Sequence, residues 1–198
     1  MKFMTGKHLP AAIVGVIATA ALLGGMPLAS RSVIAAERPV VAEKNPPGDI
    51  PDSQAFVTYA SPSGFSLQVP EGWARTDRSD GTRFADKYNA IDAAVRPAPA
   101  APTTASVTDN DAAALVKAGR AVKIDAIKNV KLASGPAILI TYSSNSEPNA
   151  VTGKQLRLEN HRYLIYRSGR LATIDLSAPL GADNADQWKH IADSFRWH

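Results

Sequence analysis

Along residues 65–69 of the chain, Phe65, Leu67 and Val69 alternate with Ser66 and Gln68. A period of two puts alternate side chains on one face, so this stretch predicts a half-buried strand. Pro70 lacks an amide donor and Gly72 accepts unusual dihedrals, which ends the strand there and lets Trp73 fold back over it. Upstream, "FVTYAS" predicts a partner strand joined through Ser-Pro-Ser-Gly. "TRFADK" and "AIDAAVR" follow as strands, the second with Ile91, Ala93 and Val95 on one side.

"PAPAAPTTASV" is a low-complexity loop of Ala, Pro and Thr. Thr108 and Asp111 then stand at capping-box spacing, and the acids of "TDND" suit the positive end of a helix dipole. That predicts a helix from about Thr108 to Gly119. "VKIDAIKNVKLASG" reads as helix or strand, with a strand favoured at Val130 to Leu132, and "PAILITY" predicts a buried strand. A polar loop is expected over 143–154. "QLRLENHRYLIY" and "LATIDLSA" form a hairpin turned at Ser168-Gly169. Trp188, Ile191 and Phe195 recur at helical spacing after the start signals Asn184 and Gln187. No internal repeat is present. The expected class is α+β, an antiparallel sheet covered by helices in a single domain.

Before this domain, Lys2 and Lys7 precede an uncharged run from Leu9 to Ser30 whose apolar centre is Ile13 to Leu23. A positive flank ahead of an apolar run is an export signal, either a signal peptide or a membrane anchor. Small residues offer cleavage after Ala29, Ala35 or Ala36, and the flank keeps the body extracytoplasmic in both cases, whether periplasmic, secreted or anchored. Residues 37–54 hold Pro39, Pro46, Pro47 and Pro51 among charges. Proline favours extended backbone and withholds donors, so a tether is expected there, with the folded domain beginning near Ala55.

Of the 198 residues, 45% are hydrophobic, enough for a core, and the net charge is +4. Lys2, Lys7 and Arg31 precede the first acid, Glu37, so the body is close to neutral. Such a surface does not suit nucleic acid, which demands clustered positive charge. The chain has no cysteine, which excludes disulfides, thiolate metal sites, a thiol nucleophile and a lipidated cysteine.

Three stretches together, "YASPSGFSLQVPEGW", "TGKQLRLENHRYLIYRSGRLATIDLSAP" and "WKHIADSFRW", resemble PsbP-like proteins over roughly residues 55 to 198. The same fold occurs in a small-GTPase-binding nuclear-import factor and in exported bacterial lipoproteins. The resemblance implies an antiparallel sheet between helices and no active site common to the family. Its members act mostly by binding proteins, and the photosynthetic ones help retain calcium, chloride or manganese at another assembly. This chain departs from the lipoprotein branch in lacking its cysteine, and nothing in the sequence indicates photosynthesis.

Candidate chemistry is sparse. No G-x-S-x-G context accompanies the histidines, of which His161 and His190 lie in the body. A hydrolase would need one of them beside a serine and a carboxylate. Arg162, Tyr166, Arg167 and Arg170 gather at the hairpin, and Arg and Tyr are enriched in protein–protein hot spots, so this end is the first candidate for docking a partner. The plainer reading is a solubilising hairpin tip. Asn145, Glu147 and Asn149 offer oxygen ligands, and Arg157, Glu159 and His161 share one strand face. These six are the alternative, a site for an ion or small ligand, though they fall short of a zinc or tight calcium set. The expectation is a non-enzymatic, extracytoplasmic module without a cofactor, binding an envelope protein and touching the membrane only through an uncleaved N-terminal segment.

Overall fold

The computed structural model describes residues 37–198. Ten strands and two helical segments follow in the order β1 (Phe56–Ser61), β2 (Phe65–Pro70), β3 (Ala74–Arg78), β4 (Gly81–Asp86), β5 (Asn89–Pro97), α1 (Thr104–Val107), a π-helical turn (Thr108–Ala112), α2 (Ala113–Ala118), β6 (Lys123–Leu132), β7 (Gly135–Asn145), β8 (Arg157–Arg167), β9 (Arg170–Pro179), α3 (Ala185–Ser194) and β10 (Arg196–Trp197). All pairings are antiparallel. Strands β3-β4-β5-β9-β8-β7-β6 make a seven-stranded sheet, and β1-β2-β10 make a second, smaller one.

The seven-stranded sheet has two unlike faces. One face carries Ile91, Ala93, Leu139, Tyr163, Ile165, Ile174 and Leu176, buried against Phe65 and Leu67 of β2, Trp188 and Ile191 of α3, and Phe195 just after that helix. This is the main core. On the opposite face, Ile138, Ile140 and Leu164 pack under Val107 and Leu115 of the helical segment in a separate cluster. That segment leaves the β4-β5-β9 end of its face open. The expected α+β class and helix-covered antiparallel sheet are therefore observed, with the β1-β2 hairpin standing as a sheet of its own.

Local signals explain most elements. Ser168 and Gly169 both take positive φ, 48° and 80°, as the tight β8-β9 turn requires. The β5 residues Ile91 and Ala93 are buried and Val95 packs at the core edge. Trp73 likewise packs against the core, closing over the end of β2. The helix, in contrast, begins earlier than Thr108. Its N-cap is Thr103, which closes a capping box with Ser106. Thr108 instead donates its hydroxyl to the Thr104 carbonyl (2.8 Å), and the Asn110 amide donates to the Ser106 carbonyl (2.7 Å). Side chains competing for backbone carbonyls accompany the widened turn at Thr108–Ala112. Asp111 turns towards Arg96 (3.4 Å). The helix ends at Gly119 as expected.

Strands β3 and β10 were not expected. β3, "ARTDR", is exposed throughout and held by pairing with β4, so it lacks the apolar alternation that reveals a strand. β10 is two residues long and pairs with β2 at Ser66 and Phe65. The ambiguous "VKIDAIKNVKLASG" becomes the ten-residue edge strand β6, with a register shift between Ile124 and Ala126. Ser143 to Asn145, expected in a loop, continue β7.

Residues 37–54 are not a free tether. Ile50 is buried in the main core, and its amide donates to the Asn184 side chain (2.7 Å). The Gly48 carbonyl accepts from Asn89 (2.9 Å) and Asn184 (3.0 Å). Asn184 sits at the start of α3 without capping it, because its amide is committed to this segment. The prolines did predict the lack of regular structure; they did not predict that side-chain amides from the body would satisfy the extended backbone.

Candidate functional site

The uncovered part of the seven-stranded sheet floors a half-open cleft of about 770 Å³. Its floor follows from strand parity. Asp92 interrupts the apolar run of β5, Asp175 that of β9, and Arg162 that of β8, each on the face opposite the main core. Register places Arg83, Asp92, Asp175 and Arg162 side by side across β4, β5, β9 and β8. Two carboxylates directly opposite each other on neighbouring strands would repel. Here each is held by a guanidinium on its outer side. Arg162 grips Asp175 through two parallel bonds, Nε to Oδ1 at 2.6 Å and Nη2 to Oδ2 at 2.7 Å. Arg83 Nη1 lies 2.5 Å from Asp92 Oδ2, and Arg78 also bonds Asp92.

The charges in this row respond to burial. Desolvation pushes the Asp175 carboxyl above the usual aspartate range, and the Arg162 bond only partly offsets it. Burial works against the Arg162 charge too, but its bond to Asp175 prevails and the guanidinium stays protonated. Burial, then the nearby Asp175 charge, drive the Tyr142 phenol upward, so Tyr142 lines the cleft as a neutral hydroxyl. This is a floor of matched charges flanked by exposed cations and acids, with Tyr88 at the rim, 46% exposed.

The hairpin set is not gathered at one place. Arg162 belongs to the cleft floor. The Tyr166 hydroxyl accepts the Gly169 amide (3.1 Å) and its ring packs on the smaller core cluster. Arg170 lies over the Trp197 ring, 4.7 Å from its centre, and donates to the Ser63 carbonyl. Arg167 reaches the Trp197 carbonyl at 3.5 Å. Arg167 and Arg170 thus face the β1-β2 turn and the β10 strand.

The alternative ligand set is split between faces. Glu147 and Asn149 line the cleft, but Glu147 is bound by Arg120 (Nε to Oε1, 2.7 Å) and Asn149 accepts the Val151 and Thr152 amides (3.0 Å each) to shape its own turn. Asn145 and Arg157 are buried and joined to each other at 3.1 Å. Burial lowers the Arg157 pKa from the usual arginine range. Its guanidinium otherwise donates to the Ala121 carbonyl and the Ser143 hydroxyl. Glu159 and His161, 3.4 Å apart, lie on the opposite face, where the His161 ring meets Trp188 edge-on. Among the described residues no group of three or more metal-type ligands converges.

His190 does lie beside serines and a carboxylate, in a shallow depression of about 410 Å³ with Ser66, Asp193 and Ser194. The contacts there are structural. Ser194 donates to the Ile191 carbonyl (2.6 Å) and accepts the Gln68 amide (2.8 Å). The His190 ring packs on Phe56, and Asp193 is held by Lys189. Activation of a nucleophile requires its bond to a base, and no serine–histidine bond occurs among the described residues.

The sequence reading missed Arg83, Asp92 and Asp175. The two aspartates do carry a signal, each directly after a buried isoleucine in Ile91-Asp92 and Ile174-Asp175, on two strands that pair at those positions.

No family model and no curated protein sequence matches the chain. Solved structures do. Cyanobacterial PsbP from Synechocystis sp. superposes with a TM-score of 0.50 at 16% identity, over 76% of this chain and 98% of the other. The Ran-binding protein Mog1p of Saccharomyces cerevisiae superposes with a TM-score of 0.50 at 8% identity, over 73% and 96%. LpqN of Mycobacterium tuberculosis, involved in cell envelope biogenesis, gives 0.45 at 17% identity, over 72% and 88%. The protein has a PsbP-like fold.

Proposed function

We propose that this protein is an exported, non-enzymatic binding module that docks a polar segment of an envelope protein in the cleft. The observation that carries this reading is the cleft itself: a broad, half-open floor of paired guanidinium and carboxylate groups with no activated nucleophile among them. Such a floor offers polar complementarity and register to a polypeptide and little to a small apolar ligand, whose sites are enclosed and mostly apolar. The Ran-binding relative in fold is compatible with work by protein contact. Export rests on Lys2, Lys7 and the uncharged run to Ser30, which lies outside the described residues.

The test is photo-crosslinking in intact cells with the probe at Tyr88 on the cleft rim, compared with a probe at the exposed Lys131 of β6. A discrete partner trapped from Tyr88 and not from Lys131 is expected. Equal yields from both positions, or recovery of the mature body from the cytosol, would overturn the reading.

A further inference from the structure

The cleft ends at a second feature, which the first residues of the described chain fill. Asn145, 2% exposed, uses its side chain on that segment: Oδ1 accepts the Val40 amide (3.0 Å), and Nδ2 donates to the Arg38 carbonyl (2.8 Å) and to Glu37 Oε1 (2.8 Å). Gln155 donates to the same Glu37 oxygen (2.5 Å), and Arg120 stands 3.9 Å from the other. Behind Asn145 lies Arg157, 7% exposed, whose bonds all go to neutral acceptors. One amide reading an N–H and a C=O of an extended backbone, beside donors for a carboxylate, is the chemistry of a peptide receptor.

The hold on this segment is almost wholly polar. Glu37, Arg38 and Pro39 are exposed, Val40 is half-buried, and Val41 is 92% exposed. Beyond it, Lys154 bonds Glu43 at the surface (2.5 Å), and the next buried anchor is at Gly48 to Ile50. Hydrogen bonds exchanged with water leave little net hold, so a stretch lacking apolar burial opens at low cost. Opening would strip the buried Asn145 amide of its bonds to residues 37–40 and leave Gln155 and Arg120 without Glu37, and a buried polar group favours a replacement partner.

We propose that Asn145, Gln155 and Arg120 form a peptide-binding site that residues 37–40 occupy in cis, and that it accepts in trans an extended segment led by a carboxylate. This rests on the reading of the adjoining cleft as a protein-docking face, and it names the end of the partner that the cleft takes. The cis segment then acts as a tethered competitor, lowering apparent affinity by the fraction of time the site is free.

The experiment titrates a fluorescein-labelled synthetic peptide, ERPVVAEK, into the full chain and follows anisotropy. Weak saturable binding is expected for the wild type. Glu37→Ala frees the site and should tighten binding about tenfold, the equivalent of one or two lost hydrogen bonds. Gln155→Ala, placed in that background, should abolish the gain; it is chosen because Gln155 is only half-buried, whereas Asn145→Ala risks the fold. On Glu37→Ala, a peptide with Gln at its first position should bind more weakly than the Glu peptide, because it lacks the carboxylate that Gln155 and Arg120 face. No saturable binding to Glu37→Ala at millimolar peptide, or binding indifferent to Gln155→Ala, would overturn the proposal. Crosslinking from Tyr88 does not depend on these outcomes, so the two readings fail separately.

Discussion

Strands β5, β9 and β8 serve two faces with the same backbone, and the faces differ in kind. Towards α3 and the small sheet, Ile91, Ile174 and Tyr163 lie in a continuous apolar core. At the position next to each of these along its strand, Asp92, Asp175 and Arg162 line the open cleft. Burying a large apolar side chain is worth about 1.5–3 kcal/mol, whereas an ion pair near a surface adds little once desolvation is counted. The core face holds the fold together, and the charged face is poorly suited to that task. Its order of charges makes sense as a surface presented to something else.

Substitutions and titration on the two faces would break or sharpen this contrast. The largest effect belongs to the core face: Ile174→Ala, at a fully buried position, should cost about 2–5 kcal/mol in urea unfolding with the denaturant slope unchanged. On the cleft face, Arg162→Met alone should cost about 1–3 kcal/mol by stranding Asp175, and the double change Arg162→Met/Asp175→Leu should recover most of it. If the double variant stayed as unstable as the single one, the pair would be a structural element and the contrast would fail.

Titration gives a smaller effect with opposite signs at two places. Asp175 has a raised pKa, so the fold binds its proton more tightly than the unfolded chain does. Its stabilising share is complete below the ordinary aspartate range and is lost as pH rises through the raised value. Relative to wild type, Asp175→Asn should therefore gain stability over that window. Glu37 is held below the usual glutamate range by the Asn145 and Gln155 hydrogen bonds. Its contribution is present above that range and is lost as pH falls through the lowered value. Amide protection factors in residues 37–45, taken against the intrinsic exchange rate at each pH, should fall on acidification, and protection that does not change with pH would break the link to Glu37. The smallest effect is at the hairpin tip, where Arg170→Ala loses a cation–π contact of about 0.5–1 kcal/mol and leaves crosslinking at the cleft unchanged.

Much of the fold was legible because most of its strands follow period two and its last helix follows the helical period. Phe65-Leu67-Val69, Ile91-Ala93-Val95 and Trp188-Ile191-Phe195 all lie where their spacing puts them. β3 escaped because an exposed edge strand carries no apolar pattern. The helix start was misread because Thr103 and Ser106 cap through their own short side chains, a weaker signal than the acids that follow. The cleft was legible only in part. Arg162 was picked out, but as part of a hairpin tip, because a cross-strand row depends on register, and register is a tertiary property. Asn145 was read as an ion or small-ligand contact and its side chain instead holds backbone of residues 38–40, since sequence does not disclose that a proline-rich segment more than a hundred positions away returns to it.

The rims of the seven-stranded sheet have a practical consequence. β3 displays Arg75, Asp77 and Arg78, while β6 carries Lys123, Lys128 and Lys131 and slips register near Ile124. Unpaired strand borders invite copies to stack into fibres, and charge and irregularity are the usual deterrents. A molecule so guarded can be crowded beside its neighbours without polymerising through its hydrogen-bonding margins.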